Sequence, residues 1–188
     1  RQDTETLVEL VLSEHKEKNI SLLDVCTGSG CIAISLAKLG GYTDVTALDL
    51  SEEALKVARS NGEKLLDQPV KFIKSDMFSA LNPEKQYNVI VSNPPYIPSQ
   101  VIEGLEPEVK DHEPRMALDG EPDGLKFYRI LAEEGKKYLK NGGSIYMEIG
   151  WDQAKDVTEI FEAMGFSGRR TVRDMAGNDR VVCARKEK

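Results

Sequence analysis

Residues 20–41, "ISLLDVCTGSGCIAISLAKLGG", constrain the fold more than any other part of the chain. A short, mostly apolar run too short for a helix meets a turn with two glycines, and a mostly apolar run of helical length follows at once. A strand with no polar face belongs in the middle of a parallel sheet covered on both sides. The pattern recurs downstream. Strands are predicted over 20–25, 45–50, 70–76, 87–93 and 144–150, with helices over 31–39, 51–66, 124–139 and 152–164. A further helix over 3–18 is read from the spacing of Leu7, Leu10 and Val11, and Ser51 is placed to cap the helix after the second strand. Alternating strands and helices give an α/β fold with right-handed crossovers. The last two segments, 167–174 and 179–186, have no helix between them and read as an antiparallel closing pair. Residues 94–123, rich in Pro, Glu and Gly, are expected to form a long irregular segment.

The bulk properties set limits. A chain of 188 residues suits one domain, and 40% hydrophobic with 30% charged residues is ordinary for a globular protein. No run approaches the roughly 20 apolar residues of a membrane span. The opening "RQDTETLVEL" has no apolar core of a signal peptide. The chain starts with Arg1 rather than Met, so a fragment that lacks an upstream domain is expected. The net charge of −7 argues against a broad nucleic-acid footprint, although "GRR" with Arg173 offers a local basic patch. Three cysteines, Cys26, Cys31 and Cys183, lack metal-type spacing and fit a reducing, cytoplasmic setting, with Cys26 and Cys31 read as packing residues. His15 and His112, the two histidines, are too far apart to read as a metal pair. Trp151 is read as packed.

The ligand chemistry gathers at strand ends. Thr27, Gly28, Ser29 and Gly30 form a loop between a strand and a helix, where backbone approaches a ligand closely and helix N–H groups are unpaired. Gly28, Gly30 and Ala33 also match a dinucleotide spacing, so a nicotinamide oxidoreductase is one reading. Asp49, followed by Leu50, ends the second predicted strand, where a carboxylate can accept from two ribose hydroxyls. Asp76 ends the third, able to accept from a purine amine with Met77 and Phe78 as neighbours to the base. Asp24 ends the first, placed for an ammonium group or for bracing the loop. The fourth strand ends in "VSNPPYIPSQ". Neither proline can continue a ladder, so a rigid corner begins there. The side-chain oxygen of Asn93 and the carbonyl of Pro94 are two acceptors able to take both hydrogens of a planar –NH2 group. Pro95 stiffens the corner, and Tyr96 can pack on a flat group. This is catalysis by positioning, with no group of tuned acidity.

The order "DVCTGSG … LDLS … SDMF … VSNPPY" resembles class I S-adenosylmethionine-dependent methyltransferases that modify planar nitrogen. Segments 1–9, 108–129, 147–153 and 173–182 are similar to the HemK-type family, which N5-methylates glutamine in release factors. The resemblance implies a Rossmann-like class I methyltransferase: a mostly parallel seven-stranded sheet with an antiparallel terminal strand and helices on both faces. It implies that residues 1–188 are the catalytic domain and that a small helical N-terminal domain is absent. It implies S-adenosyl-L-methionine as cofactor, with S-adenosyl-L-homocysteine as product. Thr27 to Gly30 would hold its methionine portion, Asp24 would lie nearby, Asp49 and Leu50 would face the ribose, and Asp76 and Met77 the adenine. Asn93, Pro94, Pro95 and Tyr96 would hold the target amide, with Asn93 reaching the cofactor as well, and Glu113 would help order the long loop. Peptide-chain release factors would be the partners, with no stable nucleic-acid partner and no membrane. Amino methylation of adenine N6 or guanine N2 in DNA or RNA is the alternative. A scaffold that merely binds cofactor would not need the intact Asn-Pro-Pro-Tyr corner.

Overall fold

The computed structural model describes residues 2–105 and 114–188. Seven strands are seen among them: β1 (Ser21–Val25), β2 (Asp44–Asp49), β3 (Lys71–Lys74), β4 (Tyr87–Ser92), β5 (Leu139–Glu148), β6 (Ser167–Arg173) and β7 (Asp179–Arg185). They form one sheet in the order β3-β2-β1-β4-β5-β7-β6. The pairs from β3 to β5 are parallel, and β7 is antiparallel to both of its neighbours. All five residues of β1 are buried, as its lack of a polar face requires.

Each strand sends alternate side chains to opposite layers. Leu23, Ile90, Ile145 and Val182 meet α5 (Lys126–Glu133) and α7 (Ala154–Ala163) on one face. Leu22, Val89, Tyr146 and Val181 meet α1 (Gln2–Glu14) and α2 (Cys31–Gly40) on the other. The expected mostly parallel sheet covered on both faces is therefore present. Ser51 caps α3 (Glu52–Leu65) by accepting from the Ala54 N–H at 3.2 Å, as expected.

Four boundaries differ from the sequence reading. The first helix stops at Glu14. The third strand ends at Lys74, so Asp76 stands in the turn beyond it. The helix expected over 124–139 splits into α5 and a single turn, α6 (Gly135–Tyr138). Gly135 lies at the split and packs near Phe78 and Ile145, which a Cβ there would meet at ordinary van der Waals distance. The fifth strand begins at Leu139 rather than 144, because "KNGG" is an insertion within the strand. Tyr87 faces Leu139, but Val89 already faces Ser144. The irregular stretch after β4 holds, among the described residues, two short turns, α4 (Ser99–Ile102) and a 3-10 turn (Arg115–Ala117), and an isolated bridge from Ile97 to Asp119.

Candidate active site

Parallel registry lines up the strand ends that carry the candidate residues. Val25 of β1 pairs with Leu48 of β2 and with Ser92 of β4, so Cys26, Asp49 and Asn93 leave the sheet along one edge. Asp24, Asp49 and Asp76 all act electrostatically on the Cys26 thiol, whose acidity is suppressed by burial first and then by these carboxylates. The three carboxylates therefore gather around Cys26 at the same end of the sheet, and their field there favours a cation.

The glycine loop is held by its acidic neighbours. Cys26, Gly28 and Gly30 all have positive φ, at 63°, 57° and 82°. A side chain on Gly28 would meet nothing within 4 Å, so this glycine borders open space. One on Gly30 would press on Ile34, Ala58 and Phe72 within 3.3 Å, so this glycine lets α2 and α3 close together. The Gly28 N–H donates to Asp49 Oδ2 at 2.8 Å, and the Ser51 N–H donates to Asp49 Oδ1 at 2.9 Å. Each carboxylate oxygen keeps a further lone pair for a ligand hydroxyl. Leu50, 46% exposed, stands beside it.

Asp24 is fully buried at 0% exposure. Its Oδ2 accepts from Thr27 Oγ1 at 2.6 Å and from the Ala33 N–H at 3.2 Å, so it does brace the loop onto α2. Its Oδ1 has no hydrogen-bond partner among the described residues. Burial, helped by the nearby Asp49 and opposed by those two donors, raises its pKa to about 7. An unpaired buried carboxylate oxygen beside an open glycine suits an ammonium group. With Asp49 and Asp76 near, the residues fit a cationic nucleoside such as S-adenosylmethionine.

Asp76 is exposed and its side chain makes no hydrogen bond among the described residues. Ser75 folds the turn after it, donating from Oγ to the Met77 carbonyl at 2.7 Å. Met77 is buried with its sulfur 3.7 Å from that of Cys26, so the packing role expected for Cys26 holds. Phe78 does not face the crevice as expected: the same turn drives it into the core, stacked on Tyr138 at 5.2 Å. Cys31 is exposed at the start of α2, and the packing expected of it is corrected. Ser29 is exposed, and its carbonyl accepts from Asn61 at 3.1 Å.

The corner after β4 is built as the prolines require. Ser92 donates to the Val25 carbonyl at 2.7 Å, tying the end of β4 to β1. Asn93 is half-buried, and its amide has no hydrogen-bond partner among the described residues. Pro94 is buried, and Pro95 and Tyr96 are half-buried beside it. Glu113 and His112 lie outside the described residues. Trp151 is 69% exposed, against the expected packing, because β5 ends at Glu148 and the turn that follows throws it outward. Arg169, Arg170 and Arg173 make no free basic patch: each is paired, with Glu162, Glu14 and Asp179 respectively.

One residue at the site escaped the sequence reading. Gln153 is only 7% exposed, and its amide bridges the end of β5 to the corner. The segment 147–153 ends at it and is part of the resemblance, but a glutamine just before a helix carries no local signal of a role of its own.

The family of the methyltransferase small domain matches residues 2–104. The release factor glutamine methyltransferase of Thermodesulfovibrio yellowstonii is 42% identical, over 100% of this chain and 68% of its own length. That of Fusobacterium nucleatum is 43% identical over 99% of this chain and 53% of its own. This chain thus spans between about half and two thirds of these curated relatives. A solved release factor-specific protein-(glutamine-N5) methyltransferase from Alicyclobacillus acidocaldarius superposes with a TM-score of 0.60 at 31% identity, over 100% of this chain and 94% of that one.

Proposed function

The chain belongs to the release factor glutamine methyltransferase family, and from that premise we propose that it methylates the side-chain amide nitrogen (N5) of the glutamine in the Gly-Gly-Gln loop of a peptide-chain release factor, in the cytoplasm. The observation that carries this reading is the Asn93 amide, half-buried on a rigid corner and without a hydrogen-bond partner among the described residues.

When bound, S-adenosylmethionine supplies a methyl group made electrophilic by a positively charged sulfur, and it leaves as S-adenosylhomocysteine. The loop from Thr27 to Gly30 would take its amino-acid end, with Asp24 Oδ1 placed to accept from the ammonium. Asp49, with Leu50 beside it, would accept from the ribose hydroxyls, and Asp76, with Met77, would hold the adenine and accept from its amine. Asn93 Oδ1 and the Pro94 carbonyl accept the two hydrogens of the target amide. That amide is a poor nucleophile because its lone pair is delocalised. Two fixed acceptors would hold the nitrogen in place and turn its lone pair toward the methyl group; as the N–C bond forms and the S–C bond breaks, one of the two amide hydrogens leaves as a proton to solvent. Pro95 keeps their angle fixed, and Tyr96 packs against the flat amide. The work is positioning in a preformed site.

Transfer of labelled methyl to a panel of release factor, total RNA and unmethylated DNA tests the reading. Label is expected on the glutamine of the Gly-Gly-Gln loop, located by mass spectrometry and lost with Asn93→Ala. Label on an adenine or guanine amine instead would keep the chemistry and overturn the substrate.

A further inference from the structure

The two prolines do not fix the corner alone. After Tyr96 the chain is tied to a distant segment. Ile97 donates to the Leu118 carbonyl at 3.0 Å, and Gly120 donates back to the Ile97 carbonyl at 2.8 Å. Ser99 Oγ donates to Asp119 Oδ1 at 2.6 Å. The segment then passes so near the corner that a Cβ on Gly124 would run into the Tyr96 carbonyl oxygen. Gly124 also has a φ of 73°, so glycine is required there twice over.

Gln153 locks this arrangement. Its Oε1 accepts from the Gly150 N–H at 2.9 Å. Its Nε2 donates to the Tyr96 carbonyl at 3.0 Å and to the Gly124 carbonyl at 3.3 Å. One backbone donor and two backbone acceptors leave one orientation of the amide that satisfies all three. The end of β5, the corner and the segment leading into α5 thus meet at one side chain.

We propose that Gln153 is the positioning residue for the acceptor amide: by holding the Tyr96 carbonyl, it sets the direction of Asn93 and of the Pro94 carbonyl three and two residues earlier. The proposal rests on the roles given to Asn93 and Pro94 above. Gln153 touches neither cofactor nor target, and it acts through the backbone.

Gln153→Glu tests this with little change of shape. An ionised carboxylate turns an oxygen toward two carbonyls and pushes the corner away. A protonated one restores a donor and an acceptor in the same places. At saturating cofactor and release factor at pH 8, kcat should fall about 100-fold, the scale of a misplacement near 1 Å. Cofactor affinity should stay within about threefold, because an interaction made only in the transition state has been lost. The ratio of variant to wild-type kcat should recover as pH falls and the glutamate takes up a proton. A loss confined to KM, a parallel loss of cofactor affinity, or a ratio flat with pH would overturn the proposal. Hydrogen exchange at the Ile97 and Gly120 amides needs no substrate. It should speed up in Gln153→Glu and in Gln153→Met, and unchanged exchange in both would overturn the clamp. If wild-type protein fails to label the release factor, the substrate reading falls, and the exchange data still decide whether Gln153 fixes the corner.

Discussion

Asp24→Asn separates stability from ligand binding in a way the structure makes quantitative. The Asp24 carboxyl is fully buried, with one oxygen unpaired among the described residues, and its pKa stands at about 7 against an ordinary 3.8. The folded state therefore holds a proton that the unfolded chain has already released, so stability falls as pH rises from about 4 to 7. The gap of about 3 pKa units, at 1.36 kcal/mol per unit, corresponds to about 4 kcal/mol of destabilisation fully developed by pH 8. Asparagine keeps an oxygen to accept from Thr27 and Ala33 and carries no charge. Its unpaired –NH2 costs about 1–3 kcal/mol at any pH. The variant should thus be no more stable than wild type near pH 4 and more stable by about 1–3 kcal/mol at pH 8. Urea denaturation of both proteins across this range measures the difference, and titrations shared by the two cancel. A stability difference that stays constant with pH would mean that Asp24 is ionised in the folded protein without cost, and the reasoning fails.

Asn93→Ala should lower kcat by at least about 100-fold, since it removes one of two acceptors for the target amide, while calorimetry finds cofactor affinity nearly unchanged. Asp49→Ala should weaken cofactor binding by about 10-fold or more through loss of charged hydrogen bonds. It should also loosen the loop by releasing the Gly28 N–H, seen as faster hydrogen exchange there. Gly30→Ala meets both a φ of 82° and crowding by Ile34 and Ala58, so thermal unfolding should show a loss of about 1–3 kcal/mol.

Most of the fold was legible because its signals are local. The apolar run of β1, the glycines after it and the Ser51 cap each announce themselves within a few residues. So does the corner, because Pro94 and Pro95 forbid a continued strand. Asp49 was legible by its distance from the loop. What the sequence hid is long-range or set by shape. The Gln153 amide reaches a carbonyl 57 residues away, and no periodicity records such a contact. "KNGG" reads as a turn between elements, yet the partner strand accommodates it as an insertion in β5. Trp151 looks like a core residue until the turn after Glu148 directs it to solvent. Phe78 reads as a neighbour of the crevice until the Ser75 turn folds it inward.

The acidic crevice and the uncharged corner divide the reaction between them, and pH should tell them apart. Asn93 and the Pro94 carbonyl do not titrate, and no proton on the enzyme needs to be in place before transfer. At saturating cofactor, kcat should therefore be nearly flat between pH 6 and 8. Asp24 is different: below about pH 7 the ligand-free protein holds a proton on it. An ammonium group beside Oδ1 requires the ionised form, so binding must release that proton. The apparent Kd for S-adenosylmethionine should then rise about tenfold for each pH unit below 7, and stop rising above it. In Asp24→Asn the affinity should be lower and independent of pH in this range. Calorimetry in buffers of different ionisation enthalpy counts the protons released on binding: close to one at pH 6 for wild type, and none for the variant. A wild-type affinity independent of pH would place the ammonium group away from Asp24 and leave that residue only its role in bracing the loop.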